Sequence, residues 1–250
     1  LMDTYAVVPL YYYNDLYMQK SNVEGIYANL FQTKFFAYAT KTGDNADTLR
    51  VNIASEPDFL DPALNSSVDG ACLAALSFSG LYTYDSTGSL VPALAESYEM
   101  SEDGLTYTFT LKDGIVFSNG NALTADDVQY TFERLLTAGG VNDDIPLEVV
   151  GAEALQNGEA DTLEGFAVID DTHFSITLNT ANAGFLAELT SPAMSIVDKE
   201  TVESVANFGL SCEDTVGTGP YKVTEWVVND HFTLEYNDKY WGEVPSVKKA

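Results

Sequence analysis

Two histidines and two cysteines are the residues best suited to act as a base, a nucleophile or a soft metal ligand. His173 and His231 each stand in a strand-like pattern flanked by polar residues. Ser-His-Asp or Cys-His catalysis needs such a histidine as its base, but neither stands on a turn that resembles a site, so we expect both on the surface. Cys72 and Cys212 lack zinc-site spacing. They form either one long-range disulfide or two buried thiols. The sequence predicts no metal and no cofactor.

Adjacent carboxylates offer a second chemistry, the hydrolysis of glycosides by a pair of acids. Such pairs occur at Asp126-Asp127, Asp143-Asp144 and Asp170-Asp171. Because the chain has 38 acidic residues, adjacent pairs arise by chance. EF-hand spacing is absent, and "GTGP" at 217–220 lacks the Lys-Ser/Thr of a phosphate loop. We therefore predict a protein that is not an enzyme, with an acidic carboxylate-pair hydrolase as the alternative.

The charge balance narrows the choice of partners. The 38 acidic residues face 11 basic ones, which gives a formal net charge of −27. Nucleic-acid binding is driven by Lys and Arg that displace counterions from phosphates, so we predict no nucleic-acid partner. The same charge disfavours docking on anionic lipid. The composition indicates an acidic, self-repelling surface, with attraction of cationic ligands as the alternative.

Two helices have clear start signals. The first is expected to begin near Ser66 or Ser67, either of which can cap it, with Asp69 favourable in the first turn. The second is expected to begin after Thr124, with Asp127 three residues on in a variant of the capping box. Apolar residues at helical spacing follow both caps.

Period-two alternation and apolar runs predict the strands. The strand segments are residues 5–13, 34–41, 48–54, 105–111, 166–178 and 221–236. The last of these is expected to be a hairpin that turns at Asn229-Asp230. Residues 140–162 are polar and acidic, and we expect an irregular surface segment there. Strands mixed with single helices favour an α/β class with a mixed sheet.

One stretch is specific enough to resemble a known family. The runs "LVPALAESYEMSEDG" and "YTFTLKDGIVFSNGNALTADDV" lie within residues 80–136. Together with "IASEPDFLDPALN" before them and "VGTGPYKVTEW" after them, they resemble the family 5 extracellular solute-binding proteins of ABC importers. That family includes oligopeptide, dipeptide and nickel binders. The resemblance covers about residues 48–245.

The opening stretch resembles the other end of the same family. "AVVPLYYYNDLYMQK" at residues 6–20 is similar to a strand that returns to the first lobe near the family C-terminus. The resemblance thus implies residues 1–41 as a C-terminal segment completing lobe I and 42–47 ("TGDNAD") as a linker. Lobe I then comprises 48–81 and 189–250, with 82–188 as an inserted subdomain. Tandem binding proteins, circular permutation and gene assembly each explain this order.

The resemblance implies both a fold and a function. The fold would be a type II periplasmic-binding-protein-like first lobe with a mixed sheet and an adjoining α+β subdomain, without the second clamping lobe. The function would be capture of oligopeptides or dipeptides by two-lobe closure and delivery to ABC permease subunits in the membrane. The protein would be a monomer, either a cell-surface lipoprotein or periplasmic. Nickel or another small solute is the alternative ligand within the family.

The resemblance also implies a ligand-binding set. Tyr13 aligns with a cleft tyrosine of the peptide binders. Ser66, Ser67, Val68 and Asp69 follow the Leu-Asp-Pro run, where family members line the cleft with backbone groups. A predicted helix start has free N–H groups that favour carbonyl or carboxylate oxygens. A plain helix cap without a ligand is the alternative for these residues.

Two further expectations concern how the segments assemble. Residues 5–13 and 34–41 should lie beside 48–54 and 221–236 in one sheet. The glycines of "GTGPY", Gly217 and Gly219, should supply backbone freedom that other residues lack.

Overall fold

The structure is a computed structural model that describes residues 18–29 and 33–250. The strands are β1 (Val23–Glu24), β2 (Tyr27–Ala28), β3 (Lys34–Phe35), β4 (Thr40–Lys41), β5 (Tyr82–Tyr84), β6 (Leu90–Pro92), β7 (Ala95–Met100), β8 (Thr106–Leu111), β9 (Phe166–Val168), β10 (His173–Thr177), β11 (Tyr221–Val227) and β12 (His231–Tyr236). The helices are α1 (Val68–Ser77), α2 (Ala125–Thr137), α3 (Ala152–Gln156), α4 (Phe185–Glu188) and α5 (Lys199–Ser204). Tyr13 and the predicted strand at 5–13 lie outside the described residues.

The larger core is built around an antiparallel sheet with the strand order β7-β8-β10-β9. The predicted strand at 105–111 is confirmed as β8, in which Tyr107, Phe109 and Leu111 are buried and alternate with threonines. In the neighbouring strand, Phe174 pairs with Phe109 and the two rings stack at 5.2 Å. The period-two pattern therefore places every second side chain of β8 against the core.

Helix α2 covers this core, and its start signal is confirmed. The Asp127 carboxylate accepts the N–H of Thr124 at 2.9 Å, and its other oxygen accepts the N–H of Lys199 at 3.0 Å. The side chains of Val128 and Phe132 are fully buried on the inner face of the helix. Burial raises the pKa of the Asp127 carboxyl, although these hydrogen bonds favour its charged form. Asp127 thus ties the start of α2 to the segment that begins α5.

A second core lies between α1 and the hairpin of β11 and β12. The predicted turn is confirmed: Asn229 has a φ of 61°, a left-handed conformation that asparagine tolerates. Residues 248–250 bond to β12 on one side, and Lys249 forms a parallel bridge with Thr48 on the other. Antiparallel and parallel pairing therefore meet here, in agreement with the predicted mixed sheet. The strand predicted at 48–54 is wrong beyond this bridge, since residues 50–54 form no strand pairing within the described part of the chain.

The prediction of one strand over residues 34–41 is wrong. A turn breaks it, because the N–H of Ala39 bonds to the carbonyl of Phe36 at 3.0 Å. The two halves become β3, which pairs with β2, and β4, which pairs with β1. Within the described residues, neither half hydrogen-bonds to the hairpin or to 48–54, so residues 34–41 do not join that sheet directly. The expected place of residues 5–13 in the same sheet lies outside the described residues. Phe36 and Ala39 nevertheless pack into the second core.

Residues 140–162 are more ordered than predicted. This segment contains a 3-10 turn at Pro146–Glu148 and the helix α3. Val149 and Ala152 are buried within the larger core. The acidic residues that suggested a surface segment lie between these apolar positions, and a short apolar set is hard to recognise in such a background.

The "GTGP" turn has a different role from the one predicted. Neither Gly217 nor Gly219 has a positive φ. A Cβ at Gly217 would lie 2.2 Å from the carbonyl oxygen of Ser77, and one at Gly219 would lie 2.4 Å from the carbonyl carbon of the same residue. The glycines are required because this turn presses directly on the last residue of α1.

Two remaining sequence questions are answered within the described residues. Cys72 is buried and Cys212 half-buried, and no disulfide joins them. No helix in residues 18–29 and 33–250 combines the length and apolar character that a bilayer crossing requires.

We predict that Phe109→Ala will reduce the free energy of unfolding by about 3–5 kcal/mol, because it removes a fully buried ring and leaves a cavity. Urea denaturation followed by circular dichroism measures this loss. Met100→Ala is the matched control, since Met100 lies on the same sheet with 55% of its surface exposed. Equal losses in the two variants would show that β8 does not form the centre of this core.

Candidate functional site

The start of α1 lies at the surface beside the second core. We call residues 65–69 the cap loop. Ser67 is the N-cap, and its hydroxyl accepts the N–H of Gly70 at 3.0 Å. Val68 is 49% exposed and Ser66 is exposed. The N–H groups of Val68 and Asp69 have no intrahelical partner. No hydrogen bond within the described residues occupies either of them, so the first turn of α1 presents two open donors.

Asn65 gives the cap loop its shape. Its side-chain oxygen accepts the N–H of Ser67 at 3.3 Å, and its side-chain nitrogen donates to the carbonyl of Ser67 at 3.0 Å. A Cβ at Gly70 would lie 1.9 Å from the same Asn65 oxygen, so only glycine fits there. The loop is therefore set before any ligand arrives.

A buried ion pair holds the loop from beneath. Asp61 is fully buried, and Arg134 of α2 donates to both of its carboxylate oxygens, at 2.8 Å to Oδ1. Oδ1 also accepts the N–H of Ala63 at 3.0 Å. The backbone carbonyl of Asp61 accepts the N–H of Asn65 at 2.9 Å. One residue therefore connects α2 to the cap loop.

The segment after α2 makes a second attachment. The side-chain nitrogen of Asn142 contacts the carbonyl oxygens of Pro62, Ala63 and Asn65 at 3.3, 3.2 and 2.8 Å. A Cβ at Gly140 would lie 2.2 Å from the carbonyl oxygen of Ala63. The larger core thus contacts the cap loop through both Asp61–Arg134 and residues 140–142. Movement of the larger core would therefore disturb the loop.

Asp69 links the cap loop to the hairpin. Its carboxylate accepts the backbone N–H and the hydroxyl of Ser55 at 2.8 and 2.9 Å. The next residue, Glu56, accepts the indole N–H of Trp226 and the backbone N–H of Asn229, both at 2.7 Å. The carboxylate of Asp69 is therefore engaged in structure, and the open groups at this position belong to the backbone.

Beside the cap loop runs a groove of about 360 Å³. Segment 51–56 forms one wall, the hairpin from Val227 to Leu234 forms the other, and apolar side chains of Phe36, Leu73 and Leu76 line the floor. The Ser55–Asp69 contacts connect this groove to the cap loop, because Ser55 lines the groove.

The structure brings four of the five predicted site residues together. Ser66, Ser67, Val68 and Asp69 form one turn, in which Ser66 and Val68 are exposed and Ser67 and Asp69 are half-buried, whereas Tyr13 lies outside the described residues. The helix cap is confirmed, and a ligand role for these residues stays a prediction. Sequence reasoning missed Asp61 and Arg134. A usable signal existed, because Arg134 is one of only two arginines and lies within the apolar pattern of α2.

The buried carboxylates are structural. Asp61 is paired with Arg134, Asp127 caps α2, and Asp198 accepts bonds from the side chains of Asn119 and Asn121 at 2.6 and 2.9 Å. Within the described part of the chain, no three His, Cys, Asp or Glu side chains are grouped as a metal site requires. The histidines lie on the surface as predicted, with His173 and His231 side chains 43% and 45% exposed. None of these groups supports the hydrolase hypothesis.

We predict that Asp61→Asn will lower the free energy of unfolding by about 3–5 kcal/mol, because it leaves the Arg134 charge buried and unpaired. Urea denaturation measures the loss, and hydrogen exchange at Asn65 should accelerate in the same variant. Asp238→Asn is the matched control, since Asp238 pairs with Lys222 at 3.3 Å on the open surface. If both variants unfold at the same urea concentration, the buried pair does not hold the loop.

A pH effect is expected at the hairpin tip beside the groove. The pKa of His231 is raised above 6.5 by its hydrogen bonds, first to Asp230, which has the larger effect, and second to Glu225. The folded state therefore binds this proton more tightly than the unfolded state, and the resulting stability is present below pH 6.5 and is lost as pH rises through the folded pKa. An NMR titration should show the His231 pKa falling toward 6.5 in Asp230→Asn.

Glu235→Gln is the control for that titration, because Glu235 lies on the same strand but bonds to Lys249. This variant should leave the His231 pKa unchanged. An unshifted pKa in Asp230→Asn would mean that the Asp230 contact is not formed in solution.

Comparison with known proteins gives a consistent result. The model of the bacterial extracellular solute-binding proteins, family 5 Middle, matches residues 89–250. The oligopeptide-binding protein OppA of Bacillus subtilis is 33% identical over 211 residues, which cover 80% of this chain and 38% of that protein. This chain thus spans well under half the length of that relative.

Solved structures agree with the sequence matches. The substrate-binding domain of an oligopeptide ABC transporter from Bacillus anthracis superposes with a TM-score of 0.75 at 30% identity, covering 78% of this chain and 38% of that one. The Haemophilus influenzae OppA complex with RPPGFSPFR gives 0.71 at 28%, covering 75% and 37%. The fold is that of part of a type II periplasmic binding protein, and the chain belongs to the family 5 bacterial extracellular solute-binding proteins.

Proposed function

We propose that this chain is part of the solute-capturing component of an ABC importer and that it binds peptides at the cap loop. Family membership supports the class of function. The names of the similar proteins, which include oligopeptide binders, support the class of ligand. Capture would take place outside the cytoplasmic membrane, at the cell surface or in the periplasm.

One observation carries the proposal: the open N–H groups of Val68 and Asp69 on an exposed helix N-terminus. A helix N-terminus favours negative or partly negative atoms. Every peptide offers such atoms in its carbonyl oxygens and its terminal carboxylate. Recognition through backbone groups does not depend on side chains, so it suits a binder of mixed peptides.

The cap loop forms one wall of the proposed site. A second lobe closing over the ligand would supply the opposite wall, and the closed form would dock on permease subunits in the membrane. A ligand shifts such an equilibrium only through contacts that it makes better in the closed state. The 250-residue chain on its own should therefore bind a peptide weakly, with a Kd of about 1 mM or higher.

We predict that Val68→Pro will weaken tripeptide binding about 2–10-fold, which is the effect of removing one neutral hydrogen bond. Proline is tolerated at the first helical position. Ser67, with φ −115° and ψ 148°, already has the backbone that a residue before proline adopts. Titration of the ¹⁵N-labelled protein with trialanine measures binding at Asp69 and Gly70.

Val68→Ala is the matched control, because it removes the same side chain and keeps the N–H. Its affinity should remain close to that of the unchanged protein. Equal affinity of the proline and alanine variants would exclude this N–H as a peptide donor. Separate titrations with NiCl₂ and with a set of glycans test the two alternatives, and saturable shifts with either one in place of trialanine would overturn the proposal.

A further inference from the structure

A second cavity lies where two small strand pairs meet. One pair is β2 with β3, and the other is β5 with β6. The hydroxyl of Tyr27 in the first pair donates to the backbone carbonyl of Tyr84 in the second at 3.0 Å, across 57 residues of sequence. Both tyrosines line a cavity of about 320 Å³, together with the rest of residues 27–29 and 84–88. This cavity shares no lining residue with the groove or the cap loop.

The Tyr27 side of the cavity is held in place by aromatic contacts. The Tyr27 ring stacks on Phe35 with centroids 4.9 Å apart, and the Tyr38 ring lies 5.4 Å from it. Burial, with smaller contributions from Tyr38 and Asp85, raises the pKa of Tyr27. Its hydroxyl therefore keeps its proton and continues to donate to Tyr84, so this wall is formed before a ligand binds.

Asp85 supplies the charge on the other side. Its Oδ1 atom accepts the hydroxyl of Thr87 at 2.7 Å and the N–H groups of Thr87 and Ser89 at 2.8 and 3.0 Å. These hydrogen bonds, above all the one from the Thr87 hydroxyl, lower the pKa of the Asp85 carboxyl, so the group is an anion at neutral pH. Its second oxygen, Oδ2, accepts no hydrogen bond from any described residue. One oriented carboxylate oxygen is therefore available to a ligand.

The surroundings of this oxygen favour one kind of cation. None of the described residues that line the cavity is basic, so the lining offers no partner to an anionic group of a ligand. The net charge of −27 attracts cations to the surface as a whole. Aromatic side chains in the lining favour a guanidinium over an ammonium group, because the planar guanidinium is more weakly hydrated and stacks on aromatic rings.

We propose that this cavity binds an alkylguanidinium group, with Asp85 accepting its N–H donors and with its alkyl stem against Tyr27, Ala28 and Tyr84. A volume of about 320 Å³ lies at the lower end of the range of ligand pockets, so it suits a group the size of one long side chain. Both a free alkylguanidine and the side chain of an arginine residue in a peptide present this group. A ligand with a carboxylate close to the guanidinium is disfavoured, because no basic residue among those described lines the cavity.

Three probes test the proposal by NMR titration of the ¹⁵N-labelled protein at constant ionic strength. Butylguanidinium chloride should give saturable amide shifts at Ser86, Thr87 and Gly88, with a Kd of about 1 mM. Butylurea has nearly the same shape without the charge, and it should bind about 2–5-fold more weakly. Acetylarginine methylamide distinguishes the two sources. Affinity equal to that of butylguanidinium assigns the cavity to the arginine side chain of a peptide, and weaker binding assigns it to a free alkylguanidine.

Asp85→Asn should weaken butylguanidinium binding about 2–5-fold, because it removes the charge. Asparagine keeps an oxygen that can accept the hydrogen bonds of the turn. Asp103→Asn is the matched control and should leave the affinity unchanged. Asp103 holds an exposed turn of the same kind, in which its Oδ1 atom accepts the hydroxyl of Ser101 at 2.6 Å and the N–H of Leu105 at 3.1 Å, and it does not line the cavity.

Three results would each overturn the proposal. The first is the lack of saturable shifts at residues 86–88 with butylguanidinium. The second is equal affinity for butylguanidinium and butylurea. The third is equal affinity of the Asp85 and Asp103 variants for butylguanidinium, which would show that the cation responds only to the total charge. None of these measurements uses trialanine or the cap loop, so this proposal and the proposed function can fail independently.

Discussion

The buried pair of Asp61 and Arg134 is the interaction on which the candidate site depends. Removing both charges from water costs several kcal/mol, and the pair is tolerated because the remaining lone pairs of Asp61 are used. One oxygen also accepts the N–H of Ala63, and the backbone carbonyl accepts that of Asn65. The same carboxylate therefore neutralises an arginine of the larger core and sets the chain direction into α1.

Helix α1 and the residues around it connect the two cores. At its start, Asn142 and Gly140 from the larger core hold the cap loop. At its end, Gly217 and Gly219 let the "GTGP" turn contact Ser77 directly. Because α1 is packed at both ends, a ligand at the proposed site would meet N–H groups that are already in place. This is consistent with recognition by two preformed N–H donors.

The sequence predicted the elements whose patterns are local. Alternation identified β8, a serine cap identified α1, and Asn229-Asp230 identified the hairpin turn. The strands at 34–41 and 48–54 were wrong for a shared reason: their pairing depends on residues far away in the chain, and apolar alternation does not show whether a partner edge is present. The importance of Asp61 was likewise hidden, since its partner lies 73 residues away.

The charge of the chain bears on which ligands the proposed site at the cap loop would select. With a net charge of −27, the surface as a whole repels anions and attracts cations. The cap loop offers its two donors without a basic side chain, so its attraction for oxygen atoms is short-ranged and falls off within the first turn. A free anion is therefore repelled over a longer range than it is attracted. A zwitterionic peptide has no net charge and is not repelled, and a peptide with extra positive charge is attracted, while the N–H groups of the proposed site would bind backbone oxygens. At the proposed site this combination would disfavour small anions relative to zwitterionic peptides and would favour cationic peptides most.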